Sequence, residues 1–205
     1  MHLHDRFATF LSATEIIEAT PALLNDQRRR FTSSPDIVLQ PNSVESVQKI
    51  MRFCFENRIR VTPQGGNTGL CGATVTTEGV LLNLSKLNRI RDINLADNSM
   101  TVEAGVILQN AQKAADKAGR LFPLSLASEG SCQIGGNIAC NAGGLNVLRY
   151  GSMRDLVLGL EVVLPNGELV SHLQPLHKNT TGYDLRHLFI GSEGTLGIIT
   201  AATIK

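Results

Sequence analysis

The spacing of hydrophobic and polar positions changes several times along the chain. Between Val44 and Cys54, the apolar residues Val44, Val47, Ile50, Met51 and Cys54 recur at the three- and four-residue intervals of one helix face. Pro41 breaks the short apolar run Ile37 to Leu39 ahead of them, and Asn42 or Ser43 can cap the helix. Ile59 to Thr62 then reads as a strand. The region has the size of one strand-helix-strand unit of about 30 residues, with a glycine-rich loop where the second strand ends.

Further on, Gly79 to Leu84, Ile90 to Asn94 and Met100 to Glu103 read as short strands parted by polar turns at Asn88 and Asp97-Asn98, which predicts a meander. Val106 to Ala118 returns to helical spacing, with Leu108, Ala111, Ala115 and Ala118 on one stripe and Gly119 in the place of a left-handed cap. Leu156 to Leu164, the turn Pro165-Asn166-Gly167 and Glu168 to Ser171 predict a β-hairpin. The β-branched run Ile198 to Ile204 predicts a further strand. Residues 1–32 predict a pair of short surface helices, the second opened by Pro21, with Arg28, Arg29 and Arg30 as exposed charges at its end.

Composition narrows the class. A chain of 205 residues with 42% hydrophobic residues can bury a core of its own, so a single domain of two lobes is expected. A net charge of +1 with 18% charged residues lacks the electrostatic footprint of a nucleic-acid or anionic-lipid binder. Apolar stretches such as Leu156 to Leu164 fall short of the roughly 20 residues that cross a bilayer. The N-terminal residues do not have the arrangement of a secretory signal, so the expected location is the cytoplasm. Cys54, Cys71, Cys132 and Cys140 form no C-x-x-C pair and are expected to be reduced. His172, His177 and His187 lack the spacing of a metal site, and none is expected.

The 19 glycines alter this picture more than the averages do, because none precedes Gly65 and most of the others gather in three segments. The first, Pro63 to Gly72, can expose successive backbone N–H groups to phosphate, with Asn67 and Thr68 adding side-chain donors but no cation. A mobile surface loop is the alternative. In the second, Ser128 to Gly144, the pair Gly135-Gly136 lets a helix start hard against a ligand, and Asn137 and Asn141 would share one helix face. Backbone packed on backbone explains its small residues equally well. The third, Gly191 to Gly197, is either part of the same ligand site or a tight turn. Neither G-x-G-x-x-G nor a Walker A sequence occurs, and Ser192 lacks the G-x-S-x-G elbow.

Taken in order, PQGGNTGLCGA (Pro63 to Ala73), GSCQIGGNIACNAGGLNVLRYG (Gly130 to Gly151) and GYDLRHLFIGSEGTLGIIT (Gly182 to Thr200) resemble the FAD-binding domain of FAD-linked oxidases of the vanillyl-alcohol oxidase (PCMH) type. The resemblance covers about Pro35 to Lys205 and is strongest to the D-2-hydroxyglutarate dehydrogenase, D-lactate dehydrogenase and glycolate oxidase branch. It implies an α+β fold of two lobes, residues 33–104 and 105–205, clasping FAD behind an N-terminal helical segment, 1–32.

By the same resemblance, Gln64, Gly65, Gly66, Asn67, Thr68, Gly69 and Leu70 would cradle the diphosphate, with Pro63 also against the cofactor. Gly135, Gly136, Asn137 and Asn141 would lie along the flavin and ribityl chain, with Ser128, Gly130, Ser131 and Ala139 also against the cofactor. Gly194, Gly197 and Ile198 would add backbone contacts. Asn67 stands where covalent relatives often carry histidine, so dissociable FAD is expected. Gly66→Val is expected to block the phosphate path with little loss of fold. Two departures are Ala73, where many relatives have glycine, and Glu129, which puts a carboxylate beside a polyanion.

Such enzymes pass the C2 hydrogen of a 2-hydroxy acid as hydride to flavin N5. Their base, substrate ligands and any substrate-binding metal come from a cap and C-terminal region, which is expected to be absent here. The chain alone is then expected to be inactive and to associate through an exposed face beside the FAD. No catalytic residue is assigned, and His172, His177, Tyr183 and Asp184 are expected to be structural or solvent-facing. The alternatives are a stand-alone FAD-binding module serving a separate substrate subunit, or an enzyme of the same scaffold acting on another substrate, such as a sugar nucleotide.

Overall fold

The computed structural model describes residues 2–205. Its first sheet forms from β1 (Ile16–Ile17), β2 (Ile37–Leu39), β3 (Val61–Gln64) and β4 (Val80–Asn83), in the order β1-β2-β4-β3. Strands β2 and β3 run parallel to β4, and β1 pairs antiparallel with β2. Every residue of β4 is buried, as its unbroken apolar run V-L-L suits a strand covered on both faces. The meander expectation therefore fails for this strand: β4 is central and parallel, and of its three strands just β5 (Ile90–Asn94) and β6 (Ser99–Glu103) pair as a hairpin.

Helix α3 (Val44–Glu56) crosses between β2 and β3 and buries Val47, Ile50, Met51 and Cys54, while Ser43 Oγ accepts from the Ser46 N–H at 3.1 Å. Helix α1 (Leu3–Ala8) is more than a surface helix. Phe7 is fully buried and its ring meets Phe53 of α3 edge-on at 4.9 Å. Helix α2 (Pro21–Leu24) starts at proline as expected. The arginine run does not cap it, because Asp26 Oδ1 accepts from the backbone N–H groups of Arg30 (2.6 Å) and Phe31 (2.8 Å) and folds the run into a separate turn.

The second sheet adds β7 (Val157–Val163), β8 (Leu169–His172) and β9 (Ile198–Ile204) in the all-antiparallel order β5-β6-β9-β7-β8. It is packed by α4 (Leu108–Lys117), α5 (Ile134–Ala139), α7 (Met153–Leu156) and α8 (Arg186–Phe189), while α6 (Val147–Tyr150) buries no residue. The sheets divide the chain differently from a boundary at 104/105. β6 finds its second partner in β9, from Met100 against Ile204 to Glu103 against Ala201, so 90–103 belongs with the later residues. Residues 1–32 contribute a strand to the first sheet rather than helices alone. Val163 and Ile198 reach from the second sheet into the core of the first, which joins the two along one seam. Among the described residues, no helix is long and apolar enough to cross a membrane.

Candidate cofactor cleft

β3 delivers the chain into the first glycine segment through a tethered residue. Buried Gln64 donates from Nε2 to the Leu23 carbonyl (2.9 Å) and accepts at Oε1 from Asn83 Nδ2 (3.2 Å). Beyond it, among the described residues, no protein acceptor meets any backbone N–H from Gly65 to Thr74. Asn67 adopts a left-handed conformation (φ 53) and pins this row from behind: Nδ2 donates to the carbonyls of Ala22 (3.1 Å) and Asn25 (2.7 Å), and Oδ1 accepts from Thr74 Oγ1 (2.9 Å). Its side chain is therefore committed to the fold, contrary to its expected use as a ligand donor.

The second segment packs against the first. A Cβ on Gly66 would overlap the Ser131 carbonyl oxygen, and a Cβ on Gly135 would come within 2.6 Å of the Ala104 Cβ. The opening N–H groups of α5 are largely spent on protein, with Ile134 donating to Val106 (2.9 Å) and Gly135 to Ala104 (2.7 Å). Close backbone packing, rather than an exposed helix terminus, thus explains Gly135, whereas Gly136 faces open space. Asn137 and Asn141 do not share a helix face: α5 ends at Ala139, and Asn141 (φ 49) turns its Oδ1 to the Arg154 N–H at 3.0 Å.

The third segment is bonded onto α5, through Gly191 N–H to Ile138 (3.1 Å) and Glu193 N–H to Ala139 (2.9 Å). Gly194 (φ +77) lies against Pro63, where a Cβ would overlap the ring. The three segments so enclose one open cleft. Of the expected residues, Pro63, Gln64, Gly65, Gly135, Gly136, Ala139, Gly194, Gly197 and Ile198 line it. Gly66, Asn67, Thr68, Gly69 and Leu70 carry the N–H row away from this wall, and Ser128, Gly130, Ser131, Asn137 and Asn141 stand outside the lining.

Ala73, Thr74, Leu84, Ala104, Cys140, Glu193 and Ile199 also line the cleft and were missed. Cys140 was within reach of sequence reasoning, since it lies one helical turn beyond Gly136. Burial raises the Cys140 thiol above its ordinary pKa, with smaller contributions from Glu193 and Cys71. Glu129 stands outside the cleft lining, where it accepts from Gln112 Nε2 at 3.2 Å.

An ion network built on buried Glu103 adjoins Ala104 of the cleft wall. Glu103 accepts from Arg89 Nη2 (2.9 Å) and Arg91 Nε (3.2 Å), and Arg91 also reaches Glu161 at 3.0 Å. Burial works against the charge on Glu103, but the hydrogen bonds from Arg89 and Arg91 outweigh it and hold its carboxyl below the usual range. The next residue, Ala104, donates to the Thr200 carbonyl (2.9 Å) and accepts from Gly135, so the network holds the floor to β9 and α5.

His172, Tyr183 and Asp184 line a separate polar depression that shares no residue with the cleft. There Asp184 is held below the usual carboxylate range, chiefly by the hydrogen bond from Arg186. His177 accompanies neither, lying exposed against the Asp97 carbonyl at 3.2 Å. Among the described residues, no group of three or more His, Cys, Asp or Glu is placed to hold a metal ion.

A row of neutral N–H donors, glycine faces without Cβ atoms and apolar walls from Ala73, Ala104 and Ile199 suit an elongated, polyanionic dinucleotide. This is the construction of a nucleotide-holding domain, and the chain belongs to the FAD binding domain family, which it matches over residues 35–172. It is 42% identical over 204 residues to the D-2-hydroxyglutarate–pyruvate transhydrogenase of Saccharomyces cerevisiae, covering 97% of this chain and 41% of that protein. To the D-2-hydroxyglutarate dehydrogenase of Xanthomonas citri it is 48% identical over 181 residues, covering 88% and 38%. In fold it is similar to alkyldihydroxyacetonephosphate synthase, with a TM-score of 0.85 at 21% identity over 98% of this chain and 42% of that one. The chain spans well under half the length of these relatives. The resemblance carried by the three glycine motifs is thereby met at the level of family and fold.

Proposed function

We propose that this chain is the FAD-holding part of a flavin-dependent dehydrogenase acting on a D-2-hydroxy acid, with 2-hydroxyglutarate the favoured substrate. The observation that carries the reading is the convergence of three glycine segments, far apart in sequence, on one cleft bordered by unspent N–H groups. Relatives named as D-2-hydroxyglutarate dehydrogenases, at 44% to 48% identity, supply the substrate class. When bound, the flavin accepts the hydride leaving C2 of the hydroxy acid.

This chain's own residues bind and orient. The Gly65 to Leu70 backbone would hold the diphosphate, Gly136 and Ala139 would let the cofactor lie flat against α5, and Gly194 to Ile198 would close the third side. Asn67, with its side chain committed to backbone carbonyls, offers no covalent anchor, so the flavin is held reversibly. The base and the substrate ligands would come from outside the cleft described here. Leu70 and Leu196, in the first and third glycine segments, are 54% and 47% exposed, which suits association through these segments.

The test is a visible absorption spectrum of the purified chain after incubation with FAD, followed by acid precipitation. A bound flavin spectrum with all the flavin released into the acid supernatant is expected. A colourless protein would end the cofactor reading, and flavin in the precipitate would end its non-covalent part. Turnover of D-2-hydroxyglutarate, D-lactate and glycolate by a protein that also carries the relatives' remaining length decides the substrate.

A further inference from the structure

A second groove opens where the start of β6 pairs with the end of β9, Met100 against Ile204, and it shares no residue with the cofactor cleft. Its inner lining is apolar and dry, since Met100, Phe122, Leu156 and Ile204 are each 5% exposed or less. Its outer lining is apolar and wet, with Leu95, Leu121 and Tyr150 at 51%, 65% and 37% exposure. Single exposed leucines are ordinary, but an apolar set gathered around one concavity marks a surface that another molecule covers.

The charge around this groove has one sign. Arg120, Arg149 and Lys205 line it, and no Asp or Glu does. Among the described residues, none of these three cations is ion-paired. Arg149 stands over the Tyr150 ring at 5.4 Å, and Arg120 donates to Asn98 Oδ1 and to the Gly119 carbonyl. Both guanidinium groups are thus steered by neutral neighbours that leave their charge unanswered. Asp97, in the adjoining turn, accepts from Asn94 Nδ2 (2.7 Å) rather than from any of them. Tyrosine, phenylalanine, methionine and arginine are the residues that protein interfaces concentrate, and carboxylates are those they exclude. The lining has that composition.

We propose that this groove docks a partner polypeptide through an apolar segment that carries carboxylates. The apolar face of the segment would cover Leu95, Leu121 and Tyr150, and its carboxylates would meet Arg120, Arg149 and Lys205. With a net charge of only +1, the chain has no general attraction for anionic lipid, so the local excess of cations selects a matching acidic segment rather than a membrane. The proposal does not depend on the assignment of the cleft to FAD.

The test uses two labelled peptides with the same stripe of leucines at helical spacing, one with glutamate and one with lysine at the remaining positions. Each is titrated with the purified chain and followed by fluorescence anisotropy. The glutamate peptide is expected to bind at least about ten-fold more tightly. Arg149→Glu combined with Lys205→Glu is expected to invert that preference at an unchanged urea midpoint, because both side chains are exposed. Leu121→Ser is expected to weaken the glutamate peptide about ten-fold. Absence of binding, equal binding of the two peptides, or an unchanged preference in the charge-reversed variant overturns the proposal. Displacement of the glutamate peptide by equimolar dodecanoate would assign the groove to a small amphiphile and overturn it too. So would loss of peptide binding in a protein that also carries the relatives' remaining length, because the groove would then be filled from within that protein.

Discussion

Gly66 and the Ser131 carbonyl oxygen occupy adjoining space with no room for a Cβ between them, so the first two glycine segments touch backbone to backbone. This contact reverses the expectation for Gly66→Val. The added side chain would enter the joint between segments rather than the ligand path, and stability would suffer before affinity did. Gly66→Ala is expected to cost about 1–3 kcal/mol in urea denaturation, the range for overpacking a tight contact. Gly136→Leu is the counterpart, because nothing stands within 4 Å of a Cβ there. It is expected to keep or slightly raise stability, as a better helix former replaces glycine, while lowering FAD affinity at least about ten-fold. Equal loss of stability in both variants would remove the distinction.

Stability should fall at low pH in a way that Glu103 controls. Its carboxyl titrates below the ordinary 4.5 in the folded chain. The stabilisation is therefore complete above the unfolded pKa and drains away as pH falls through the lower, folded one. Glu103→Gln is expected to lose about 2 kcal/mol at pH 7, less than the ~3–5 kcal/mol of a fully buried pair because both guanidinium groups reach water. The deficit should shrink as the pH drops below about 4, since the parent then loses the same charge. Thermal melts of both proteins from pH 7 to pH 3 would show the curves converging, and parallel curves would exclude Glu103 as the source.

The four cysteines should react in a fixed order with iodoacetamide. Cys71 is exposed, and Cys140 lines the cleft with a raised pKa. Burial pushes the Cys54 thiol up to about 12, and Cys132 is 2% exposed. Only the thiolate is nucleophilic, so Cys71 is expected to label first, Cys140 more slowly, and the buried pair only on unfolding. Excess FAD is expected to protect Cys140. Mass spectrometry of the labelled peptides reads each site, and unprotected Cys140 would argue that the cofactor lies elsewhere.

Phe7→Ala should unfold the protein at markedly lower denaturant. The ring is fully buried against Phe10 and Phe53, with centroids 5.7 and 4.9 Å away. Removing such a side chain typically costs about 3–5 kcal/mol. A shift near zero in the urea midpoint would return α1 to the role of a surface helix.

Where one spacing dominated, the chain was readable. Helix α3 announces itself by Val47, Ile50, Met51 and Cys54, and the bounds of β5 and β9 are those expected. V-L-L-N at β4 was readable as a strand but not as a central one, because a run buried on both faces carries no alternation to show its neighbours. Helices α6, α7 and α8, four residues each, are too short to display a period. At the cleft, the glycines were legible as a group. Their division of labour was not, since it depends on residues from other segments: Ser131 beneath Gly66, Ala104 beneath Gly135, Pro63 beneath Gly194.

β9 lies between β6 and β7 although both precede it in the chain, and residues 104 to 156 separate those two strands. Until Ile198–Ile204 emerges from the ribosome, the β5-β6 and β7-β8 hairpins have no strand to join them, and the Thr200 carbonyl that steadies Ala104 does not yet exist. The floor and the third wall of the cleft therefore mature together, once β9 has been made. A nascent chain would acquire its hold on the cofactor in one step at that moment rather than by degrees.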